Sequence, residues 1–342
     1  MTQLSDQIVA WRPLVVLIGP TAVGKSDIAI AIARALDTEV LTADSRQVYR
    51  GMNIATDKPS HAQQQGVPHR LIDLVEPDQP FNTGMYREQA LVEIDRLYAE
   101  HRLPLVVGGT GLYVRTLVRG LCDAPQARPD FRDRLLGEAR LREKGYLHQE
   151  LSQVDPESAQ RLHPNDEIKI VRALEVHHVS GKRLSDLQRQ HRFAGKSFTP
   201  LLLGLNRDRD ALYGRIEQRV NTFFTNGLVD ETRTLLAQGY HRELGSMKGL
   251  GYRQVAAYLA GECNYAEAVH RLKRDTRRFA KRQLTWFRKE PGIRWVALDD
   301  QETPASAANR LLVHINGFLA DLRERSPVWT VNSQHDSETA VG

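Results

Sequence analysis

Short apolar runs alternate with amphipathic stretches over the first ~120 residues of the chain. Leu14-Val15-Val16-Leu17-Ile18, Glu39–Thr42, Arg70–Leu74 and Leu105–Val107 carry the apolar character of buried strands. Between them, Lys25–Leu36, Thr83–Glu100 and Gly111–Arg119 place apolar residues at helical spacing. This alternation predicts an α/β fold built on a parallel sheet. From Asp123 to Lys196 the pattern changes to charged, helical periodicity without a convincing strand, in Pro129–Lys144, Pro156–Leu162, Glu167–Ser180 and Leu184–His191. Strand character returns at Leu201–Leu205, a helix is expected over Tyr213–Phe224, and the chain then stays helical to about Arg323. The expected organisation is a sheet domain formed by residues 12–120 and 199–323, interrupted by a helical insertion over 121–198. Residues 324–342 are polar and aperiodic and read as a disordered tail.

Composition narrows the class without naming a function. A chain of 342 residues with 41% hydrophobic and 26% charged residues is ordinary for a soluble globular protein. No run approaches ~18 apolar residues and the first residues show no basic region followed by a secretory apolar segment, so no membrane span is expected. The two cysteines, Cys122 and Cys263, lie far apart, which fits a reducing cytoplasm and excludes a cysteine-ligated zinc site. The net charge of +5 matters through its distribution. Arg271, Lys273, Arg274, Arg277, Arg278, Lys281, Arg282, Arg288 and Lys289 face a single acid, Asp275, in one helical stretch. A helix this basic points to a polyanion. The interleaved Phe279, Trp286 and Phe287 suit a core-facing role better than base stacking.

The loop after the first strand reads Gly19-Pro20-Thr21-Ala22-Val23-Gly24-Lys25-Ser26, a complete G-x-x-x-x-G-K-S pattern between a strand and a helix. Its backbone N–H groups and the helix N-terminus are suited to a phosphate group. Lys25 is placed to reach the outer phosphates, and the Ser26 hydroxyl to ligate Mg²⁺. Asp44 and Ser45 follow the second strand, on the rim where parallel sheets bind ligands. Capping of the next segment and catalysis are compatible roles there, and the neighbouring phosphate loop favours catalysis. The fourth strand runs into Gly108-Gly109-Thr110-Gly111 with no acid, which weakens an ATPase reading and lets a ligand approach the backbone. Arg215 and Arg219 share one helical face; phosphate neutralisation and surface pairing with Glu217 and Asp230 both remain open. Segments Ser246–Gln254 and Lys281–Arg288 complete the set of unusual stretches.

Seven blocks in order, GPTAVGKS, ADSRQVYRGMNIATDKP, PHRLIDLVEP, PLVVGGTGLY, HPNDEIKIVRALEV, GLGYRQ and AKRQLTWFR, resemble the bacterial tRNA dimethylallyltransferases (tRNA isopentenyltransferases). The resemblance spans residues 13–290 and implies a P-loop NTPase-like parallel-sheet core with a helical insertion and a helical C-terminal part. It implies transfer of a dimethylallyl group from dimethylallyl diphosphate to N6 of adenosine 37, beside the anticodon of tRNAs reading codons that begin with U. The loop Gly19–Ser26 with Arg215 and Arg219 would then hold the diphosphate, aided by Mg²⁺, and Asp44 would act as general base. The implied tRNA contacts are Asp44, Ser45, Arg46, Gln47, Thr110, Arg132, Ile168-Lys169-Ile170-Val171-Arg172, Lys248-Gly249-Leu250-Gly251-Tyr252-Arg253 and Lys281-Arg282-Gln283-Leu284-Thr285-Trp286-Phe287-Arg288. The insertion would clamp the anticodon stem-loop, and one clamp per arm makes a monomer sufficient. The sequence departs from the usual pattern at Ile54-Ala55-Thr56-Asp57-Lys58 (commonly Ile-Gly-Thr-Ala-Lys), at Ile168-Lys169 (commonly Gln-Arg) and at Lys248 (commonly Arg).

Three other functions fit parts of the chain. A P-loop small-molecule kinase has no use for the basic helix. A prenyltransferase acting on a free adenine nucleotide needs no clamp. A non-catalytic RNA-binding protein leaves the phosphate loop and Asp44 unexplained.

Overall fold

The computed structural model describes residues 4–190 and 198–325. Most of the stretch read as a tail, residues 326–342, lies outside the described residues. Six strands, β1 (Pro13–Ile18), β2 (Val40–Ala43), β3 (His69–Arg70), β4 (Leu105–Gly108), β5 (Thr199–Arg207) and β6 (Ile293–Leu298), form one sheet in the order β3-β2-β4-β1-β5-β6. Every pairing is parallel. All six residues of β1 are buried, as a strand covered by helices on both faces must be. In register, Ile18 meets Gly108 of β4 and Gly204 of β5, while Ala43 of β2 meets Gly108 from the other side. The carboxyl ends of β1, β2 and β4 therefore share one rim, with β4 inserted between β1 and β2. That crossover point is where open parallel sheets take ligands.

Two strand expectations need correction. Arg70–Leu74 reads as a strand, but pairing stops at Arg70, and Leu71 and Asp73 turn the backbone into left-handed conformations (φ +65° and +53°). Residues 293–298, expected to be helical, form the edge strand β6 on β5. Val296 and Leu298 are buried there while Arg294, Trp295 and Ala297 are exposed, an alternation that one-sided edge strands show.

The helix Lys25–Leu36 buries Ile28, Ala29, Ile30, Ile32, Ala33 and Leu36 and packs against the sheet and against the helix Pro304–Arg325. A second apolar cluster joins the segment after β2 (Val48, Met52) to the helices Arg209–Thr225, Leu228–Ala237, Tyr252–Leu259 and Tyr265–Phe287 through Val220, Phe223, Leu228, Leu235, Tyr252, Val255 and Leu272. It fixes the C-terminal helices against the rim.

Residues Thr116–Ser197 form a second compact unit, distinct from Met1–Arg115 with Phe198–Gly342. Its helices are Pro129–Arg140, Tyr146–Val154, Pro156–Arg161, Glu167–Ser180 and Leu184–Gln190. The helix expected over Pro129–Lys144 ends at Arg140, and Gly145 starts a further one, Tyr146–Val154, that the periodicity does not mark. Leu147, Leu151, Ile170, Ala173, Leu174, Val176 and Leu187 make its core. Glu175 is fully buried within it and accepts from the Arg128 amide at 2.6 Å and from Arg132 at 2.7 and 2.8 Å, with Arg172 as a further donor. Burial would raise its pKa, but Arg132, that amide and Arg172 together bring it down to about 2.

Candidate active site

Residues 19–24 connect β1 to the helix beginning at Lys25, so the loop lies on the rim with a helix N-terminus behind it. The Lys25 ammonium donates to the Gly19 carbonyl at 3.0 Å and the Pro20 carbonyl at 2.8 Å. Burial, and after it the Arg219 charge, lower its pKa to about 8, against the opposing pull of Asp44 and Asp57. Arg215 and Arg219 both reach this region from the helix Arg209–Thr225. Arg215 Nε donates to the Ala22 carbonyl at 2.9 Å, and Arg219 pairs with Asp57 at 2.9 Å. Neither pairs with Glu217 or Asp230; Glu217 is bonded by Arg277, and Asp230 by Arg233. Three cations thus converge on the loop, each satisfied by an acceptor of the protein itself.

Asp44 stands at the carboxyl end of β2. Its Oδ1 accepts from the Arg46 amide at 2.8 Å, so it closes a turn; no helix follows for it to cap. The Thr110 hydroxyl accepts from the Ser45 amide at 3.0 Å and ties this turn to the loop after β4. A cavity of about 330 Å³ is lined by Thr21, Lys25, Ser26, Asp44, Ser45, Gln47, Thr110, Arg219 and Arg282, with Val220, Phe223, Leu272 and Phe279 forming apolar wall. A second, more open cavity of about 770 Å³ shares Lys25, Ser26, Asp57, Pro59, Arg219 and Phe223 with the first and adds Gly24 and Arg215. Thr21, Lys25, Ser26 and Arg219 therefore line one chamber with Asp44, whereas Ala22, Gly24 and Arg215 line only the second cavity.

The helix Tyr265–Phe287 contributes more to this chamber than its charge suggests. Gln283 is buried; its Oε1 accepts from the Thr21 amide at 2.8 Å and its Nε2 donates to the Gly109 carbonyl at 2.9 Å. One side chain therefore couples the phosphate loop to the Gly-Gly-Thr loop. The glycines make room for it: a Cβ on Gly109 would stand 2.3 Å from Gln283 Nε2, and one on Gly111 would stand 2.2 Å from the Trp286 indole. Arg115 stacks on that indole, 4.3 Å from the ring centre. The aromatic positions that the sequence assigns to the interior behave accordingly at Trp286 and Phe287, the latter fully buried.

Several expected RNA contacts have side chains occupied within the protein. Ile170, Val171, Tyr252 and Phe287 are buried, and the Tyr252 hydroxyl donates to Glu231 at 2.6 Å. Gln283 is internal for the reason just given. Arg132 and Arg172 hold Glu175, and Lys169 pairs with Asp166. Arg253 pairs with Asp275 at 2.8 Å, and Arg46 donates to the Gly245 carbonyl at 2.8 Å. Gln47 donates to the Thr56 and Asp57 carbonyls. Exposed and suited to outside partners are Ile168, Lys248, Lys281, Arg282, Thr285 and Arg288. Lys248, Gly249, Leu250 and Arg253 also line the smaller cavity.

Among the described residues no group of three or more His, Cys, Asp or Glu is arranged to hold a metal. Mg²⁺ takes few protein ligands and otherwise keeps water and substrate oxygens, so a single hydroxyl at the cavity wall is compatible with that ion. The Ser26 hydroxyl at the cavity wall is the protein oxygen such an ion would use.

A model of the IPP transferase family matches residues 47–290. A tRNA dimethylallyltransferase of Syntrophobacter fumaroxidans is 48% identical over 308 residues, covering 87% of this chain and 90% of the relative. Its namesake in Geobacter sulfurreducens is 49% identical over 293 residues, covering 86% and 94%. The full-length tRNA isopentenylpyrophosphate transferase of Bacillus halodurans superposes with a TM-score of 0.69 at 35% identity, over 92% of this chain and 98% of that one. A eukaryotic dimethylallyltransferase solved acting on tRNA gives a TM-score of 0.79 at 25% identity, over 91% and 80%.

Proposed function

The chain belongs to the IPP transferase family, and on that premise we propose that it transfers the dimethylallyl group of dimethylallyl diphosphate to N6 of adenosine 37 in tRNA. It is a tRNA dimethylallyltransferase, as its relatives are named. The observation that carries the chemical assignment is the shared chamber, where Asp44 and Lys25 line the same wall space and Lys25 feels the Asp44 charge.

In this reading the adenine N6 lone pair attacks the allylic C1 as the bond from C1 to the diphosphate oxygen breaks. The N6 proton passes to the Asp44 carboxylate, which converts a weak exocyclic amine into a competent nucleophile. Negative charge grows on the departing pyrophosphate, where the loop amides, Lys25, Arg215 and Arg219 stabilise it. Mg²⁺ held with Ser26 would add Lewis-acid neutralisation of the same charge. Val220, Phe223, Leu272 and Phe279 offer the prenyl tail an apolar wall. A loop base reaches a recessed diphosphate only when it leaves its stack, so the adenosine must be extruded into the chamber. The exposed Lys281, Arg282 and Arg288 suit the RNA backbone.

No helix among the described residues is long and apolar enough to cross a membrane; with a tRNA substrate, we place the enzyme in the cytoplasm, acting as a monomer. The test is incubation with radiolabelled dimethylallyl diphosphate and either tRNA or AMP. Label in tRNA that maps to adenosine 37 is the expected result. Label in AMP alone would overturn the acceptor assignment, and label in neither would overturn the donor.

A further inference from the structure

The Arg219–Asp57 pair stands where the two cavities share a wall, with Lys25 and Ser26 beside it. Asp57 is not carried by a pliable loop. Residues 53–58 are pinned by the Glu231 carboxylate on the Asn53 and Ile54 amides, by Gln47 on the Thr56 and Asp57 carbonyls, and by the Thr56 hydroxyl on the Met52 carbonyl. Lys58 adds two further anchors, to the Tyr49 carbonyl and to Asp73. Asp57 itself adopts a left-handed backbone (φ +53°), which Asp tolerates better than most residues. Arg219, by contrast, is a long side chain on a helix with the Phe223 ring beneath its guanidinium at 5.3 Å.

We propose that Asp57 is an internal stand-in for a phosphate: it competes with the diphosphate for Arg219 and so loosens the enzyme's grip on pyrophosphate after transfer. This rests on the donor assignment above. A rigid carboxylate beside the cradle does two things to a bound diphosphate. It recaptures the guanidinium that the leaving group needs, and it repels the phosphate oxygens that replace it. Lys25 and the loop amides serve any phosphate, whereas only a ligand long enough to reach Arg219 must displace Asp57. The competition therefore falls on the diphosphate and its pyrophosphate product and spares inorganic phosphate.

The experiment is calorimetric titration of the full chain with pyrophosphate, in magnesium and near pH 7, below the value of about 8 that Lys25 has in the intact site. Asp57→Ala is expected to tighten pyrophosphate binding by up to about fivefold, the upper worth of one partly exposed ion pair, and to lower the KM for dimethylallyl diphosphate. Asp57→Asn, which keeps the side-chain shape, should tighten it in the same direction and guards against misfolding of the alanine variant. Orthophosphate affinity should stay within about twofold. Combined with Arg219→Gln, Asp57→Ala should gain clearly less than it does alone, retaining only the relief of direct repulsion, because the competition acts through that guanidinium. Unchanged or weaker pyrophosphate binding in both Asp57 variants overturns the proposal, as does equal tightening in the Arg219→Gln background. A wild-type protein that binds neither pyrophosphate nor dimethylallyl diphosphate would instead overturn the donor assignment, and this proposal with it.

Discussion

Replacing Gln283 with alanine removes the amide that bonds both the Thr21 N–H and the Gly109 carbonyl. The side chain is only 7% exposed, so both partners lose a bond in a site largely screened from water. An orphaned buried donor or acceptor costs about 1–3 kcal/mol. The neighbouring cavity offers a water to one of them, which places the total near the lower half of the summed range, about 2–4 kcal/mol. In a unit of this size that lowers the melting temperature by roughly 4–10 °C. Released from Gln283, the phosphate loop loses its fixed distance to the Gly-Gly-Thr loop, and kcat/KM for dimethylallyl diphosphate should fall by about tenfold or more. Gln283→Glu keeps an acceptor for Thr21 but sets a carboxylate against the Gly109 carbonyl, so it should be no more stable than the alanine variant. Calorimetric melting, donor kinetics and a filter-binding measurement of tRNA affinity read the three consequences separately. The reasoning fails if Gln283→Ala melts with the wild type while tRNA affinity drops about tenfold, because the side chain would then face RNA.

Asp44→Asn should lower turnover by roughly 10²–10⁴ with tRNA affinity retained; near-normal turnover in single-turnover assays would remove Asp44 as the base. Lys25 is charged below its value of about 8 and neutral above it. Donor affinity should therefore fall as pH rises through about 8, and a flat profile from about pH 7 to 9.5 would contradict the role given to its ammonium. Over the same range the free protein should gain stability, because the unfolded chain, with lysine near 10.5, binds the proton that the folded chain has lost. Neutralising Lys281, Arg282 and Arg288 together should flatten the logarithmic salt dependence of tRNA binding by about two units; an unaltered slope would exclude that face from the interface.

The parts of the site that depend on neighbours along the chain are legible in the sequence itself. A strand, a glycine loop and a helix follow one another directly in residues 14–36, and the rim position of Asp44 follows from the parallel-sheet rule. Arg215 and Arg219 stay open between two roles in the sequence because the deciding acceptors, Ala22 and Asp57, are remote from them along the chain. Gln283 reads as an RNA contact by its place in a basic run, yet the faces of one helix divide: Leu272, Thr276, Ala280, Gln283 and Phe287 recur at helical spacing and point inward. That spacing is the signal the sequence carries. Glu175 gives no such warning, since a charged residue among helical charges reads as surface until two arginines close over it. The edge strand β6 escapes the sequence pattern because its six residues offer only two inward positions, and β5 determines which.

The helix that opens the phosphate cradle, Lys25–Leu36, rests on the helix Pro304–Arg325, at the opposite end of the described chain. On the ribosome, the earliest part of the catalytic pocket to be translated must therefore wait for one of the last segments before its apolar flank is covered. Residues 116–197 need no such delay, because their core is drawn from one continuous stretch. A nascent chain stalled before residue 304 would carry the complete phosphate loop and Asp44 without the helix that covers the cradle's apolar flank, and would be a substrate for chaperones and proteases rather than a slow enzyme.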